Sequence, residues 1–516
     1  MDGREKPTFF TGWISEKFAS NIFQRKGRIS ADIRTLKKNF NMSGHRKQSK
    51  SRRDFLKNSS LAAAGFFIVP RHVLGKGMIP PSDKLNIAGI GVGGKAEVNL
   101  PYAFNKGSDN IVALCDVDDR MAVKAKNMWP KAPYYRDFRT MLEKEAKNID
   151  AVMVTTPDHQ HAVAALACMQ LGKHVYCEKP LTHDIYEARI LTQAAAKYKV
   201  VTQMGNQGSS GDDTRNVETW IQGGLIGDVH TVHVWTNRPV WPQGIATPTG
   251  KFEIPKEVDW DLWLGTAPQR DFNPNYLPAI WRGWVDWGTG SLGDMGCHFM
   301  DVPFRALKLG YPISVETSVG SVYKGFFEET VYTDCYPPSA KTHIQFPARE
   351  GMPALELIWY DGGIKPRRPD ELLPDEEMAE LDGGIIFEGT KSKLMAGLFG
   401  RNPTLLPTKL MKETTLPKSK FPFVERGSDG HQQQWVKACK QGFGAYTSSS
   451  FDKSGPLTET VLMGNLAIRS YNFAVNGKYP GRKKLLWDGA NMKITNFDEA
   501  NQFVKRQYRG NWKLTL

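Results

Sequence analysis

Cysteine is scarce in this chain: six residues in 516, scattered, with no Cys-x-x-Cys pair. A disulfide framework is thereby not indicated for a chain of this size. Cys115, Cys168, Cys177, Cys297, Cys335 and Cys439 are scattered, and several lie in apolar strand or helix patterns, the usual setting of buried free thiols. Long apolar runs are missing as well. The stretch Leu61–Val69 is too short for an ordinary membrane-spanning helix. No internal repeat is present. An excess of positive charge is almost absent outside the first 77 residues: they carry +12 of the net +14, and the remainder carries +2. Basicity confined to a leader does not make a folded binding face, so a nucleic-acid partner is excluded. What is present is 40% hydrophobic residues, enough for substantial cores, and a length that implies two or more domains plus extensions.

The leader is readable. Ser51-Arg52-Arg53-Asp54-Phe55-Leu56-Lys57 precedes the short apolar stretch Leu61–Val69, and Pro70, Pro80 and Pro81 oppose a continuing helix. This pattern resembles the twin-arginine translocation signal, which implies export to the periplasm by the twin-arginine machinery, folded and with cofactor in place. Residues 1–41 are long for the basic part of such a signal, and Met42 is an alternative start. Ala62–Ala64 is the one small-residue cleavage site, and an uncleaved leader would anchor the chain. The organisation expected is a basic extension over 1–50, a signal segment over 51–80, a first domain over 83–205 and a second over 206–516.

From Lys84 to Met204 short apolar runs alternate with helical periods. Strands are expected at Leu85–Ile90, Ile111–Cys115, Ala151–Val154, His174–Cys177 and Val200–Met204. Helices are expected at Ala96–Phe104, Arg120–Met128, His161–Leu171 and Ile185–Tyr198. That order gives an α/β domain with a parallel, doubly wound sheet. Beyond Asn206 the texture changes. A helix over Asp213–Gln222 leads to the alternating strand Val229–Thr236, then to a Trp/Pro/Gly-rich loop reaching Gly290. Further strands are expected over 313–323, 342–346 and 354–360, a surface excursion over 366–382, and an amphipathic helix over Leu457–Val475 that packs back on the first domain. This is an α+β domain with a large, mostly antiparallel sheet.

Gly89-Ile90-Gly91-Val92-Gly93-Gly94 follows the first apolar run. In such a turn the first glycine permits a tight bend, the second lets backbone approach a pyrophosphate, and the third lets helix pack close to strand. The helix behind it offers unpaired N–H groups to phosphates. Asp116 ends the second strand 22 residues beyond Gly94, where a ribose-binding carboxylate belongs; its other reading is an ordinary helix N-cap acid. Together they point to a nicotinamide dinucleotide. Thr155-Thr156-Pro157-Asp158-His159-Gln160-His161 and Cys177-Glu178-Lys179-Pro180 leave the next two strands at the same carboxyl edge of the sheet. Lys179 there is placed to touch a substrate hydroxyl, or else is a solvated lysine beside a buried Glu178. Asp294, His298 and Asp301 are spaced to share one helix face. An acid beside His298 would fix its tautomer for general-base work; the alternative is an N-cap acid with a packed histidine. No metal is expected, because hydride transfer from an alcohol does not require one. Arg282 is a candidate for substrate oxygens, and Trp281 and Trp284 either stack on a sugar ring or pack in the core.

These motifs, with Gly293-Asp294-Met295-Gly296-Cys297-His298, resemble the Gfo/Idh/MocA oxidoreductases, the family of glucose–fructose oxidoreductase and inositol dehydrogenase, over about residues 83–510. Trp260-Asp261-Leu262-Trp263-Leu264-Gly265 and Trp281-Arg282-Gly283-Trp284 resemble its exported subgroup. The resemblance implies a Rossmann domain followed by an α/β domain with a large open sheet, assembled as a homodimer or homotetramer. It also implies a triad of Lys179, Asp294 and His298, and a cofactor site of Gly89, Gly91, Gly94, Asp116, Thr156, Pro157, His161 and Glu178. The expected activity is hydride transfer between a sugar, glycoside or cyclic polyol and a tightly held NAD or NADP. Asp116 favours NAD by repelling a 2′-phosphate, and Arg120 leaves NADP open. Two other readings are a redox-neutral, NAD-dependent glycoside-cleaving enzyme and a non-catalytic sugar- or nucleotide-binding protein. The Gly293–His298 segment is that of the family's ordinary dehydrogenases.

Overall fold

A computed structural model describes residues 83–516; the basic extension and the twin-arginine segment lie outside the described residues. The first sheet has six strands, β1 (Asn86–Ile90), β2 (Asn110–Cys115), β3 (Tyr134–Tyr135), β4 (Ala151–Val154), β5 (His174–Cys177) and β6 (Thr202–Met204). Their order is β3-β2-β1-β4-β5-β6 and every pairing is parallel. The chain's reversal between β1 and β4 opens a crevice at the strands' carboxyl ends. Helices α1 (Ala96–Phe104), α2 (Asp119–Met128), α3 (Phe138–Glu145), α4 (His161–Gln170) and α5 (Ile185–Tyr198) make the crossovers. Their starts are written in the sequence. Asp118 and Asp137 cap α2 and α3 by accepting from backbone N–H groups, and Asp184 with Glu187 forms a capping box on α5. Asp118, not Asp116, is thus the helix cap.

After α6 (Asp212–Gln222), β7 (Val229–Thr236) enters a nine-stranded sheet. It is completed by β8 (Ser314–Val319), β11 (Ala340–Phe346), β12 (Leu355–Tyr360), β13 (Gly383–Gly389), β14 (Lys393–Ala396), β15 (Thr404–Leu406), β16 (Leu485–Asp488) and β17 (Lys493–Ile494). The short hairpin of β9 (Val322–Gly325) and β10 (Glu328–Thr330) stands apart from it. All pairings in the large sheet are antiparallel except β7 with β12. In β11 the residues alternate buried and half-buried, with Lys341, His343 and Gln345 on the less covered face. That is the pattern of a sheet with one face packed and one wet.

The loop from β7 holds α7 (Trp260–Leu264) and leads to α8 (Gly290–Phe299) and α9 (Asp301–Ala306), which break at Met300. Two later helices, α10 (His431–Gln441) and α11 (Phe451–Tyr471), return to the first sheet. Trp435, Val436, Ala438 and Cys439 of α10 join the core made by β1, α1 and β2. Helix α11 starts earlier than the expected Leu457, because the chain stays helical through Gly455 and Pro456. Nor is it one-sided: it is buried along nearly its whole length, between α5 on one side and β8, β11 and α8 on the other. All six cysteines are buried and free.

Gly455 is where α11 meets α5, and a Cβ there would run into Thr192 Oγ1. Gly455→Ala should therefore lower unfolding free energy in urea by about 1–3 kcal/mol, as overpacking does. Adding Thr192→Ala should recover part of that loss. Strictly additive losses would contradict this contact.

Candidate active site

The crevice widens into a cavity of about 610 Å³ between the two sheets. Its floor is the glycine turn. Gly91 has φ +74°, and a Cβ there would lie 2.7 Å from the Thr155 carbonyl oxygen, so only glycine fits. Gly94 has φ +54° with nothing within 4 Å of a Cβ, leaving its surface open to a ligand. The roles within the motif differ from expectation. Gly89 is buried in β1 away from the cavity, with Val92 and Leu100 2.9 and 3.1 Å from a Cβ position; it, not Gly94, permits close strand–helix packing. Gly93, which was not singled out, sits against Met121 of α2.

Asp116 lies on the cavity wall and holds the glycine turn in place. Its Oδ2 accepts from Val92 N (2.8 Å) and Gly93 N (3.2 Å), and its Oδ1 from Asp118 N (3.0 Å). Burial pushes this carboxyl up to about 6 against those three donors. Arg120 is turned away, bonded to Asp118 at 2.8 and 2.6 Å. Thr156, Pro157 and Glu178 also line the cavity. His161 does not: its two ring nitrogens each lie 2.8 Å from a carbonyl oxygen, of Pro180 and of Thr156. It braces the two loops from behind. Glu178 is held by Asn99 Nδ2 (2.6 Å), whose Oδ1 accepts from Gln432 Nε2 (2.9 Å). Neither amide was expected, and only the fold, by returning α10 to α1, brings them together.

Opposite stands the group borne by α8. Lys179 Nζ donates to Asp294 Oδ1 at 2.7 Å and to the Asp294 carbonyl at 2.8 Å, each side chain 15% exposed. Arg282 Nε lies 3.4 Å from the same oxygen, and its guanidinium stacks on Trp281 at 4.4 Å. Burial raises the Asp294 carboxyl, but Lys179 and Arg282 together outweigh it and hold the group at about 2. His298 lines the same cavity, edge-to-face with Phe399 at 5.0 Å. Burial, then the Lys179 charge, keeps its imidazole well below the ordinary histidine range, hence neutral near pH 7. The expected bond from Asp294 to His298 is absent among the described residues: the carboxylate faces Lys179, and His298 Nδ1 is buried without a partner. Asp301 is a second correction. The break at Met300 turns it out of the cavity toward Arg305 and Ser209. Trp284 is a third: at 1% exposure it packs edge-to-face on Tyr276, inside a cluster with Trp287. Trp281 does reach the cavity. Asp158, not anticipated, ties the two halves together by accepting from Thr289 Oγ1 at 2.6 Å, one residue before α8.

The cavity fits a dinucleotide on its own chemistry. Gly94 leaves space for a phosphate at the start of a helix, and Asp116 offers acceptor oxygens. The hydroxyls of Thr155 and Thr156 are buried on the wall without partners, ready to bond a ligand. These features define an α/β protein built around a dinucleotide crevice with a lysine–carboxylate pair facing it. Residues 85–206 match an oxidoreductase family with an NAD-binding Rossmann fold, and residues 215–320 match that family's C-terminal alpha/beta domain. Both matches are to models of the Gfo/Idh/MocA oxidoreductase family, and together they cover a little under half of the chain. It is 26% identical over 275 residues to scyllo-inositol 2-dehydrogenase (NADP(+)) IolW of Bacillus subtilis (53% of this chain, 62% of that protein). It is 26% identical over 204 residues to a glycosyl hydrolase family 109 protein of Shewanella pealeana (35% and 44%). The chain thus spans less than two thirds of the length of these relatives. Among solved structures, the WlbA dehydrogenase of Bordetella pertussis, in complex with NADH and UDP-GlcNAcA, shares the fold. Its TM-score is 0.50 and its identity 16%, covering 74% of this chain and 95% of that one.

Removing one partner of a buried pair strands the other's charge. Lys179→Met should lower unfolding free energy at pH 7 by about 3–5 kcal/mol. Lys179→Met with Asp294→Asn should recover most of that loss in urea titrations. A double variant no more stable than the single one would contradict the pairing.

Proposed function

We propose that this chain is an NAD(P)-dependent oxidoreductase acting on a CH–OH group of a sugar, glycoside or cyclic polyol. The observation that carries the reading is the Lys179–Asp294 pair facing the same cavity as the glycine turn and Asp116. A bound nicotinamide would supply the hydride acceptor. The chain's own residues do the rest. An ammonium has three hydrogens, and Asp294 takes two from Lys179. The third is left for the substrate oxygen, where it favours developing negative charge. Asp294 positions Lys179 rather than His298. His298, neutral and facing the cavity, accepts the hydroxyl proton. Arg282, stacked on Trp281, offers its guanidinium N–H groups to substrate oxygens. Asp116 on the wall, with Arg120 diverted to Asp118, supports NAD over NADP.

A second reading draws on the Shewanella relative: oxidation, elimination and re-reduction on one enzyme, giving glycoside cleavage without net redox change. The arginine pair Arg52-Arg53 before Leu61–Val69 supports export through the twin-arginine route to the periplasm. The half-covered polar face of the large sheet supports assembly as a homodimer or homotetramer, which light scattering would report as a multiple of the chain mass.

Purified protein supplied with NAD and a panel of polyols and sugars should produce absorbance at 340 nm. Lys179→Met should lower kcat by at least about a hundredfold, the scale of a lost electrostatic stabiliser, with dinucleotide affinity little changed. No absorbance change with any compound, but cleavage of a glycoside, would favour the second reading. A reporter fused behind residues 1–82 should be exported, and Arg52→Lys with Arg53→Lys should stop it; unchanged export would remove the twin-arginine reading.

A further inference from the structure

Residues 504–512 are fastened to both halves of the molecule at points no catalytic step requires. The Val504 carbonyl accepts from Tyr186 N at the start of α5. Arg506 is bonded to Glu187 Oε1 (2.7 Å), lies 3.6 Å from Asp184, and donates to the His159 carbonyl at 2.6 Å. It thereby grips the capping box of α5 and the loop that carries Thr156 and Pro157. Tyr508 bonds the same Glu187. Arg509 donates to Asp261 Oδ1 (2.6 Å) and to the Asp261 carbonyl (2.8 Å) in α7, whose Leu262 and Trp263 line the cavity. So fastened, the segment delivers Trp512 to the cavity wall.

The position of Trp512 selects its ligand. In a sheet of this order a dinucleotide lies across the switch point, one half on each side of it. Lys179 follows β5 and marks the nicotinamide half. The loops after β2 and β3, with Asp116 and Asp137–Phe138, therefore receive the adenosine half. Trp512 stands on that side, its ring centroid 6.0 Å from Phe138 and 4.5 Å from the Arg139 guanidinium carbon. Arg139 is itself held by Asp137 at 2.7 Å. A half-buried indole beside a phenyl ring, braced by a cation, is a stacking surface for a flat heteroaromatic base.

We infer that Trp512 is a cofactor-retaining residue: with Phe138 and Arg139 it forms a lip over the adenine of the dinucleotide, and the strap anchored through Arg506 and Arg509 holds that lip closed. This rests on the dinucleotide reading above and deepens it, since it names the residue that would slow cofactor release.

The full chain would be loaded with NADH and chased with excess NAD in a stopped-flow fluorimeter. Equilibrium binding of ADP and of nicotinamide mononucleotide would be measured in parallel. Trp512→Ala should speed NADH release about tenfold or more and weaken ADP to the same degree, while leaving nicotinamide mononucleotide unchanged. Trp512→Phe should restore most of the loss. Trp512→Leu keeps apolar bulk without a π face and should behave as the alanine variant, which guards against misfolding as the cause. Wild-type release and ADP affinity in Trp512→Ala would overturn the inference alone, as would equal weakening of both half-ligands. Failure of the wild-type chain to bind any of the three would overturn the cofactor reading and this inference with it.

Discussion

The rest of the site depends on one buried ion pair. Lys179 comes from the loop after β5 and Asp294 from a helix of the other half, and they meet at 2.7 Å with little of either exposed to water. Taking two such charges out of solvent costs several kcal/mol each, and only close, well-directed contact offsets that cost. The pair therefore tolerates little variation in the distance between the two halves. A second polar strut, Thr289 to Asp158, acts in parallel at the start of α8. Below both, the continuous core through α11 keeps the two sheets in register. The cavity is the space these three constraints leave open.

That space is incompletely satisfied, and its deficits fall where a ligand belongs. The hydroxyls of Thr155 and Thr156 and the Nδ1 of His298 are buried without partners, at a cost of about 1–3 kcal/mol for each such group. The same electrostatics sorts the ionisable groups. Asp294, facing two cations, stays charged; His298, buried and near Lys179, stays neutral; Asp116, among backbone donors, is poised near 6. The Asp294 carboxylate thus stays charged against Lys179 while a neutral imidazole lines the same cavity, the arrangement on which the proposed hydride transfer rests.

Much of the first sheet could be read from sequence because β1, β2, β4 and β5 are mainly apolar, mostly buried runs, punctuated by glycine, aspartate and proline. β3 and α3 escaped notice, since two tyrosines make no pattern and the eight-residue helix has only Met141 and Leu142 buried. In the second half the strands from β13 onward and the helix α10 were missed. Gly383-Gly384 opens β13 with residues that disfavour strands, and α10 is polar along three glutamines whose partners are distant in sequence. The motifs named Lys179, Asp294 and His298, which share one cavity, but not how they pair, and they also named Gly89, His161, Asp301 and Trp284, which lie off it. Helix periodicity put Asp294 beside His298, yet a carboxylate turns to the strongest charge in reach, and Lys179 lies 115 positions away along the chain. Trp284 and Trp281 are equivalent in sequence, and both are buried in one cluster; only the fold brings Trp281 to the cavity wall and leaves Trp284 behind it.

The most direct test of the central claim follows the hydrogen itself. A polyol or sugar deuterated at its carbinol carbons would be incubated with the protein and NAD, and the cofactor examined by mass spectrometry. Hydride transfer in this cavity predicts one deuterium in the reduced nicotinamide, and none in Lys179→Met over the same time. A cofactor that stays oxidised and unlabelled with every compound, while remaining bound, would contradict it.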